Sequence, residues 1–198
     1  EQKNQNVKKQ FEELQSLLER AMALQTSMVL FEWDDETLAP KGAAEHTARV
    51  IGSLSEQYQE ILASMRFKEL LDVCQKAEKE NAGVFDEVQS AILREAAEEQ
   101  ERLSCIPPEE YRAYAELTAR ATGIWTRARE KNDFASFAPV LKEIISYQKK
   151  FAAYRAKPGQ KLYDVMLDTY EKGFNMEMLD PFFELMKGKI VPLLKESA

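Results

Sequence analysis

Apolar residues recur at steps of three and four almost from one end of the chain to the other, and this periodicity limits the fold more than any other feature. Val7, Phe11, Leu14, Leu18, Ala21, Leu24, Met28 and Phe31 mark one face of an amphipathic helix of roughly seven turns. Ile51, Leu54, Tyr58, Ile61 and Met65 form a second stripe, which runs on through Phe67, Leu70, Leu71 and Cys74 after a break near Ser64. Further stripes begin at Phe85, Tyr111, Leu141 and Leu179. Alternation at period two never persists with β-branched or aromatic residues, so no strand is expected. The expectation is an all-α fold of about seven helices with no sheet, one helical domain over residues 1–198, and N-terminal helices long enough to pair antiparallel.

Breaks between the stripes carry turn chemistry. Trp33 to Gly42 is rich in loop formers and reads as the end of the first helix, with Pro40 disfavouring helix at Ala39. Asn81-Ala82-Gly83 is a helix stop. Pro107-Pro108-Glu109-Glu110 suits a helix N-terminus, with proline at the start and acids in the first turn. Asn132-Asp133-Phe134 and Lys157-Pro158-Gly159 are the next breaks. A short helix is expected through Leu162 to Tyr170, ending before Gly173. Pro192 lies inside the last stripe and should kink it, because its nitrogen cannot donate to the Gly188 carbonyl.

Composition narrows the functional classes. The chain has 198 residues, 44% hydrophobic and 31% charged, as in a globular protein rather than a disordered one. Lys and Arg total 27 against 34 Asp and Glu, a net charge of −7 with no long basic run. That balance argues against nucleic acid and anionic membranes as partners. The seven glycines form no Gly-x-Gly-x-x-Gly or Walker-type run, so a phosphate cradle is unsupported. No apolar run is long enough to span a membrane. Cys74 and Cys105 are isolated from each other, without a Cys-x-x-Cys pair. They read as reduced thiols of a cytoplasmic protein.

The candidates for chemistry are few. His46 is the single histidine, so a zinc site built on two histidines cannot come from this chain alone. As a general base it lacks an identifiable partner, and it reads as a surface or cap residue. Asp34 and Asp35 resemble a paired-carboxylate site but read as helix-capping acids. The Glu95 to Arg102 charge run is a solvated helix face. Asp164 and Asp168 share one helix face, with Glu171 beyond, and three acids can in principle hold a hard cation, yet the oxygen-rich, Gly-centred calcium loop is missing. Trp125, Tyr163 and Tyr170 read as core or groove-lining aromatics, and Trp33 and Trp125 are expected to be buried. On chemistry alone the sequence shows no catalytic residue and no metal ligand, and leaves the substrate-binding residues unknown.

A resemblance adds to this reading. Trp33-Asp34-Asp35-Glu36-Thr37-Leu38-Ala39-Pro40-Lys41-Gly42-Ala43 resembles the Trp-Asp-x-x-Thr-x-Met-Pro-x-Gly-Ala signature of the carboxypeptidase Taq family, with Ala39 in place of Met. Ile106-Pro107-Pro108-Glu109 is similar to that family's turn before a helix. Trp125 to Phe134 is similar to its Trp-x-x-Ala-Arg-x-x-Asn-Asp-Phe segment, continued by Phe137-Ala138-Pro139-Val140-Leu141. Tyr163 to Gly173 resembles its Tyr-Asp-x-Leu-Leu-Asp-x-Tyr-Glu-x-Gly stretch. The four matches fall in order across residues 30–173.

The resemblance implies a mostly helical, homodimeric metallocarboxypeptidase, several hundred residues long, that uses zinc or cobalt to remove C-terminal amino acids from peptides. The family's metal site is His-Glu-x-x-His with a downstream Glu: two imidazoles one turn apart fix the ion and the motif's Glu activates water. That motif is absent from this sequence, and so are the family's His-Pro-Phe, Asp-x-Arg-x-Thr and Gln-Asp-x-His-Trp motifs. The chain ends at Lys195-Glu196-Ser197-Ala198, a little before they are expected, so no catalytic or metal residue carries over. The expectation is the N-terminal, non-catalytic helical region of such an enzyme, inactive alone. The alternative is a stand-alone helical interaction module. The last stripe, with Phe182, Phe183, Met186, Ile190, Val191, Leu193 and Leu194, spreads round more than one side of its helix, and self-association is expected to cover it.

Overall fold

The computed structural model describes residues 2–40 and 42–197, and these contain eight helices and no strand. In chain order the helices are α1 (Gln2–Thr37), α2 (Ala44–Leu62), α3 (Met65–Glu80), α4 (Glu87–Ser104), α5 (Pro108–Glu130), α6 (Phe134–Arg155), α7 (Leu162–Tyr170) and α8 (Met176–Ser197). The extra helix arises at Ser64. Its hydroxyl accepts a hydrogen bond from Phe67 N at 3.1 Å, an N-cap that separates α2 from α3 within one continuous apolar stripe. The chain divides into two compact units, residues 1–145 and 146–198, with the boundary inside α6.

The first unit is built on α1. Its face carries Val7, Phe11, Leu14 and Ala21 into a core shared with Tyr58 and Leu62 of α2, four residues of α3, and Leu93, Ala96 and Leu103 of α4. The Phe11 and Phe85 rings lie 5.1 Å apart between centroids. The α1–α2 pair is antiparallel: α2 starts beside the C-terminal end of α1, and Arg66, just past its far end, reaches back to Glu13 at 2.6 Å. Gln59, fully buried on α2, donates from Nε2 to the carbonyls of Leu103 (3.1 Å) and Ile106 (2.7 Å). The bond to Ile106 O satisfies a backbone acceptor at the α4–α5 turn, while Leu103 O also accepts from Ile106 N at 3.1 Å.

The most extensive helix pairing in this unit is between α2 and α5. Gly52 makes it possible. A Cβ at that position would lie 2.2 Å from Cγ of Glu116, so only glycine lets the helices approach this closely. Glu116 is held there by Arg112, whose Nε donates at 3.0 Å while its Nη1 donates to Glu56 of α2 at 2.8 Å.

Several expected boundaries hold: α3 ends at the Asn81-Ala82-Gly83 stop, and Pro108 opens α5. Asp86, which the sequence reading did not single out, caps α4 in a capping box with Gln89. Asn132 sits at φ 52° between α5 and α6, a left-handed position asparagine tolerates. Gly173 takes φ 82° in the turn after α7.

Three expectations are corrected. The first helix does end within Trp33–Gly42, but Trp33 to Thr37 is its last turn rather than loop; Leu38 N and Ala39 N both donate to Asp34 O where the helix closes after Thr37. Lys41 lies outside the described residues. Trp33 is 57% exposed and Trp125 is 44% exposed, so neither is buried. Trp125 instead carries the Arg129 guanidinium over its ring at 5.2 Å, an intrahelical cation–π contact that needs no core. Tyr163 and Tyr170 are likewise exposed rather than core residues. Finally, Phe134, expected to belong to a break, is the first residue of α6, which runs through Pro139; Pro192 lies inside α8 as expected, and so does Pro181.

In the second unit the buried residues are Phe151 and Ala152 on α6 and Val165 on α7. None of α8 is buried.

Candidate functional site

A cleft of about 220 Å³ opens in the first unit where the C-terminal end of α1 meets the start of α2 and the middle of α5. Helix α1 contributes Glu32, Asp35 and Glu36, which stand on one face because they are spaced three and four apart. From α2 come Ala44, Thr47, Ala48 and Ile51, and from α5 come Thr118, Ala119 and Thr122. The small side chains leave the space, and the acids line one wall.

The polar groups of the cleft are mostly acceptors. Thr118 Oγ1 donates back to the carbonyls of Tyr114 and Ala115, both at 3.1 Å, and Thr122 Oγ1 donates to Thr118 O at 3.5 Å. Their hydroxyl protons are thus spent within α5, and these oxygens can only accept from a ligand. The Glu32 carboxyl is raised above its ordinary value, first by desolvation and then by the neighbouring charge of Glu36. At the rim Glu45 meets Arg120 at 3.5 Å. Such a site accepts hydrogen bonds from an ammonium or guanidinium group and repels a carboxylate.

The residues singled out in the sequence lie elsewhere, with one exception: Asp35, of the Asp34–Asp35 pair, lines the cleft. His46 is exposed on the first turn of α2. Asp164 and Asp168 act as backbone acceptors: Asp164 Oδ1 receives Met176 N at 2.9 Å, and Asp168 Oδ1 receives Gly173 N at 2.8 Å. Both carboxylates therefore shape the turn from α7 into α8. Cys74 is buried and Cys105 half-buried, and both are free thiols. Among the described residues no three His, Cys, Asp or Glu side chains are grouped to hold a metal ion. With one exposed imidazole and the α7 acids already engaged by backbone, the donor set does not fit a catalytic zinc site. No helix among the described residues is long and apolar enough to cross a membrane.

Sequence reasoning missed the cleft as a whole. The spacing of Glu32, Asp35 and Glu36 was visible, as was the Thr118–Thr122 pair one turn apart. What joins them is the α1–α2 pairing together with the close α2–α5 packing at Gly52, which no local pattern reports.

Comparison with known proteins bears on what this scaffold belongs to. Residues 13–198 match the family model described as carboxypeptidase Taq (M32) metallopeptidase. Carboxypeptidase 1 of Bacillus subtilis is 34% identical over 180 residues, covering 91% of this chain and 35% of that protein. Thermostable carboxypeptidase 1 of Pyrococcus furiosus is 31% identical over 175 residues, covering 88% of this chain and 34% of its own length. The BsuCP crystal structure superposes with a TM-score of 0.89 at 33% identity, over 95% of this chain and 37% of that one. The chain thus spans about a third of the length of the curated relatives it matches. With the family model matching nearly all of its length, on an eight-helix scaffold that superposes this closely, the chain belongs to the carboxypeptidase Taq (M32) metallopeptidase family.

Proposed function

We propose that this chain is the N-terminal, non-catalytic helical part of a metal-dependent carboxypeptidase that removes C-terminal amino acids from peptides. The observation that carries this reading is the family match over residues 13–198 on a chain whose only histidine, His46, is exposed and ungrouped. In the complete enzyme these helices form one wall of the substrate groove. A wall of packed helices excludes water and limits access to the end of the peptide. The metal, zinc or cobalt, would be held by residues outside this chain, so no catalytic step is assigned to any residue here. The acidic cleft beside α1 is the wrong polarity for the substrate's terminal carboxylate, which supports a reading in which the carboxylate is recognised elsewhere in the enzyme.

The exposed apolar residues of α8 support self-association of the chain as it stands. A cytoplasmic location is consistent with the two free thiols.

The test is a hydrolysis assay. The purified chain, loaded in turn with zinc and cobalt, is incubated with a C-terminally blocked and an unblocked dipeptide. No amino-acid release is expected from either. Metal-dependent release from the unblocked dipeptide that persists through repurification overturns the proposal.

A further inference from the structure

We propose that the cleft between α1, α2 and α5 binds the guanidinium of one arginine side chain carried within a polypeptide, with Thr47 as its buried anchor. This rests on neither the carboxypeptidase reading nor self-association. Thr47 lines the cleft from α2 and is only 9% exposed. Among the described residues its hydroxyl has no hydrogen-bond partner. A threonine inside a helix ordinarily donates to a carbonyl one turn back. Thr118, Thr122 and Thr126 of α5 all do so. For Thr47 that acceptor is Ala43 O, which is already engaged by His46 N at 2.9 Å and Thr47 N at 3.0 Å. Ala44, Thr47, Ala48 and Ile51 share the face of α2 that lines the cleft. The hydroxyl is thus held there with its proton and lone pairs open to a ligand.

The α1 wall decides the ligand. Glu32, Asp35 and Glu36 stand there, and among the described residues no basic side chain lines the cleft. Arg120 stays at the rim, paired with Glu45 at 3.5 Å. The Glu32 carboxyl is raised by desolvation first and by Glu36 second, and a cation beside it offsets both. Among the described residues the acids are not grouped to hold a metal ion, which favours an organic cation with its donors spread apart. Those donors must reach the α1 carboxylates and the oxygens of Thr47, Thr118 and Thr122 together. A guanidinium carries five N–H groups round a plane and is weakly hydrated, whereas an ammonium carries three on one strongly hydrated atom. The volume of about 220 Å³ falls below the roughly 300–1,000 Å³ of a pocket for a drug-sized molecule and suits a single side chain. Free arginine would bring its own α-carboxylate up to three acids, so the arginine belongs within a chain, where amides replace that charge.

The experiment is a titration of the isotope-labelled chain with Nα-acetyl-arginine amide, followed by amide proton–nitrogen correlation spectra. The citrulline analogue, which keeps the shape and loses the charge, the lysine analogue and free arginine are titrated alongside. The expected result is saturable shifts at the amides of Thr47, Ala48 and Ala119, with no saturation by the citrulline analogue. The lysine analogue and free arginine should bind about tenfold more weakly. Asp35→Asn should weaken binding about tenfold and Thr47→Val about fivefold, while Thr47→Ser keeps it. Because the Thr47 hydroxyl has no partner within the protein, Thr47→Val should not lower Tm, so its effect on affinity is separable from folding. Binding of the citrulline analogue as tight as that of the arginine one, shifts confined to other parts of the chain, or no saturation at up to tens of millimolar overturns the proposal. Equal binding by the lysine analogue overturns the choice of guanidinium, and an affinity indifferent to Thr47→Val overturns the anchor. None of these outcomes bears on the carboxypeptidase reading, which is tested by hydrolysis.

Discussion

Replacing Gly52 with alanine should destabilise the chain although alanine is the better helix former. In an exposed helix interior the exchange stabilises by about 1 kcal/mol. Here the added methyl would meet Glu116 Cγ at 2.2 Å, Oε1 at 2.7 Å and Cδ at 2.9 Å. Cγ is near the root of the side chain, so relief requires Glu116 to leave its rotamer or the two helices to part. Overpacking of this kind costs about 1–3 kcal/mol. Moving Glu116 also breaks its i,i+4 bond to Arg112, a partly exposed pair that adds little. The balance is a net loss of up to about 2 kcal/mol, centred near 1 kcal/mol, which lowers Tm by roughly 2–4 °C at this chain length. Thermal melts followed by far-UV circular dichroism measure it. The decisive comparison is the same substitution in a Glu116→Ala background. There the obstructing Cγ is gone, and Gly52→Ala should be neutral or stabilising, giving a coupling energy of about 2 kcal/mol. If Gly52→Ala raises Tm in the parent, or its cost is the same in both backgrounds, the close approach at Gly52 does not govern the α2–α5 pairing.

Three further outcomes are expected. Glu32→Gln should stabilise the chain at neutral pH and leave it unchanged below 4.5, because a carboxyl raised in the fold contributes stability below its ordinary value that is lost as pH rises; urea titrations at both pH values check this. Cys74, whose thiol burial pushes up to about 11, should resist a thiol reagent that labels Cys105, and its contribution to stability should hold below pH 9.0 and disappear between there and about 11. Asp164→Ala should cost about 1 kcal/mol and raise amide exchange at the start of α8, Asp164→Asn should largely keep the bond to Met176 N, and added zinc, cobalt or calcium should leave the parent's Tm unchanged.

Helix identity was legible because local chemistry writes it: the Pro107–Pro108 start, the break at Ser64 and the left-handed Gly173 each declare a boundary within a few residues. Burial was less legible. The apolar stripe of α1 continues past Leu24 through Met28 and Phe31, but periodicity reports a face without saying what covers it. In the structure Val29, Leu30, Phe31 and Trp33 remain exposed, while the residues nearer the start of the helix form the core. Trp125 misled for a related reason, since a large aromatic satisfied by its own helix through Arg129 looks the same in sequence as one satisfied by a core. The carboxylates at Asp164 and Asp168 looked like ligands because their spacing was visible, whereas the backbone amides they accept from lie beyond the helix. The cleft depends on residues 32 to 122 meeting, which takes the α1–α2 pairing and the α2–α5 packing at Gly52 together.

The central claim, that this chain is the helical wall of a carboxypeptidase whose chemistry lies elsewhere, is tested most directly by complementation. Carboxypeptidase 1 of Bacillus subtilis is prepared without the third that this chain matches, loaded with its metal, and assayed for release of C-terminal amino acids with and without this chain. The account predicts little release from either part alone and saturable, metal-dependent release when they are combined. Full activity from the truncated enzyme alone, or release by this chain alone, would contradict it.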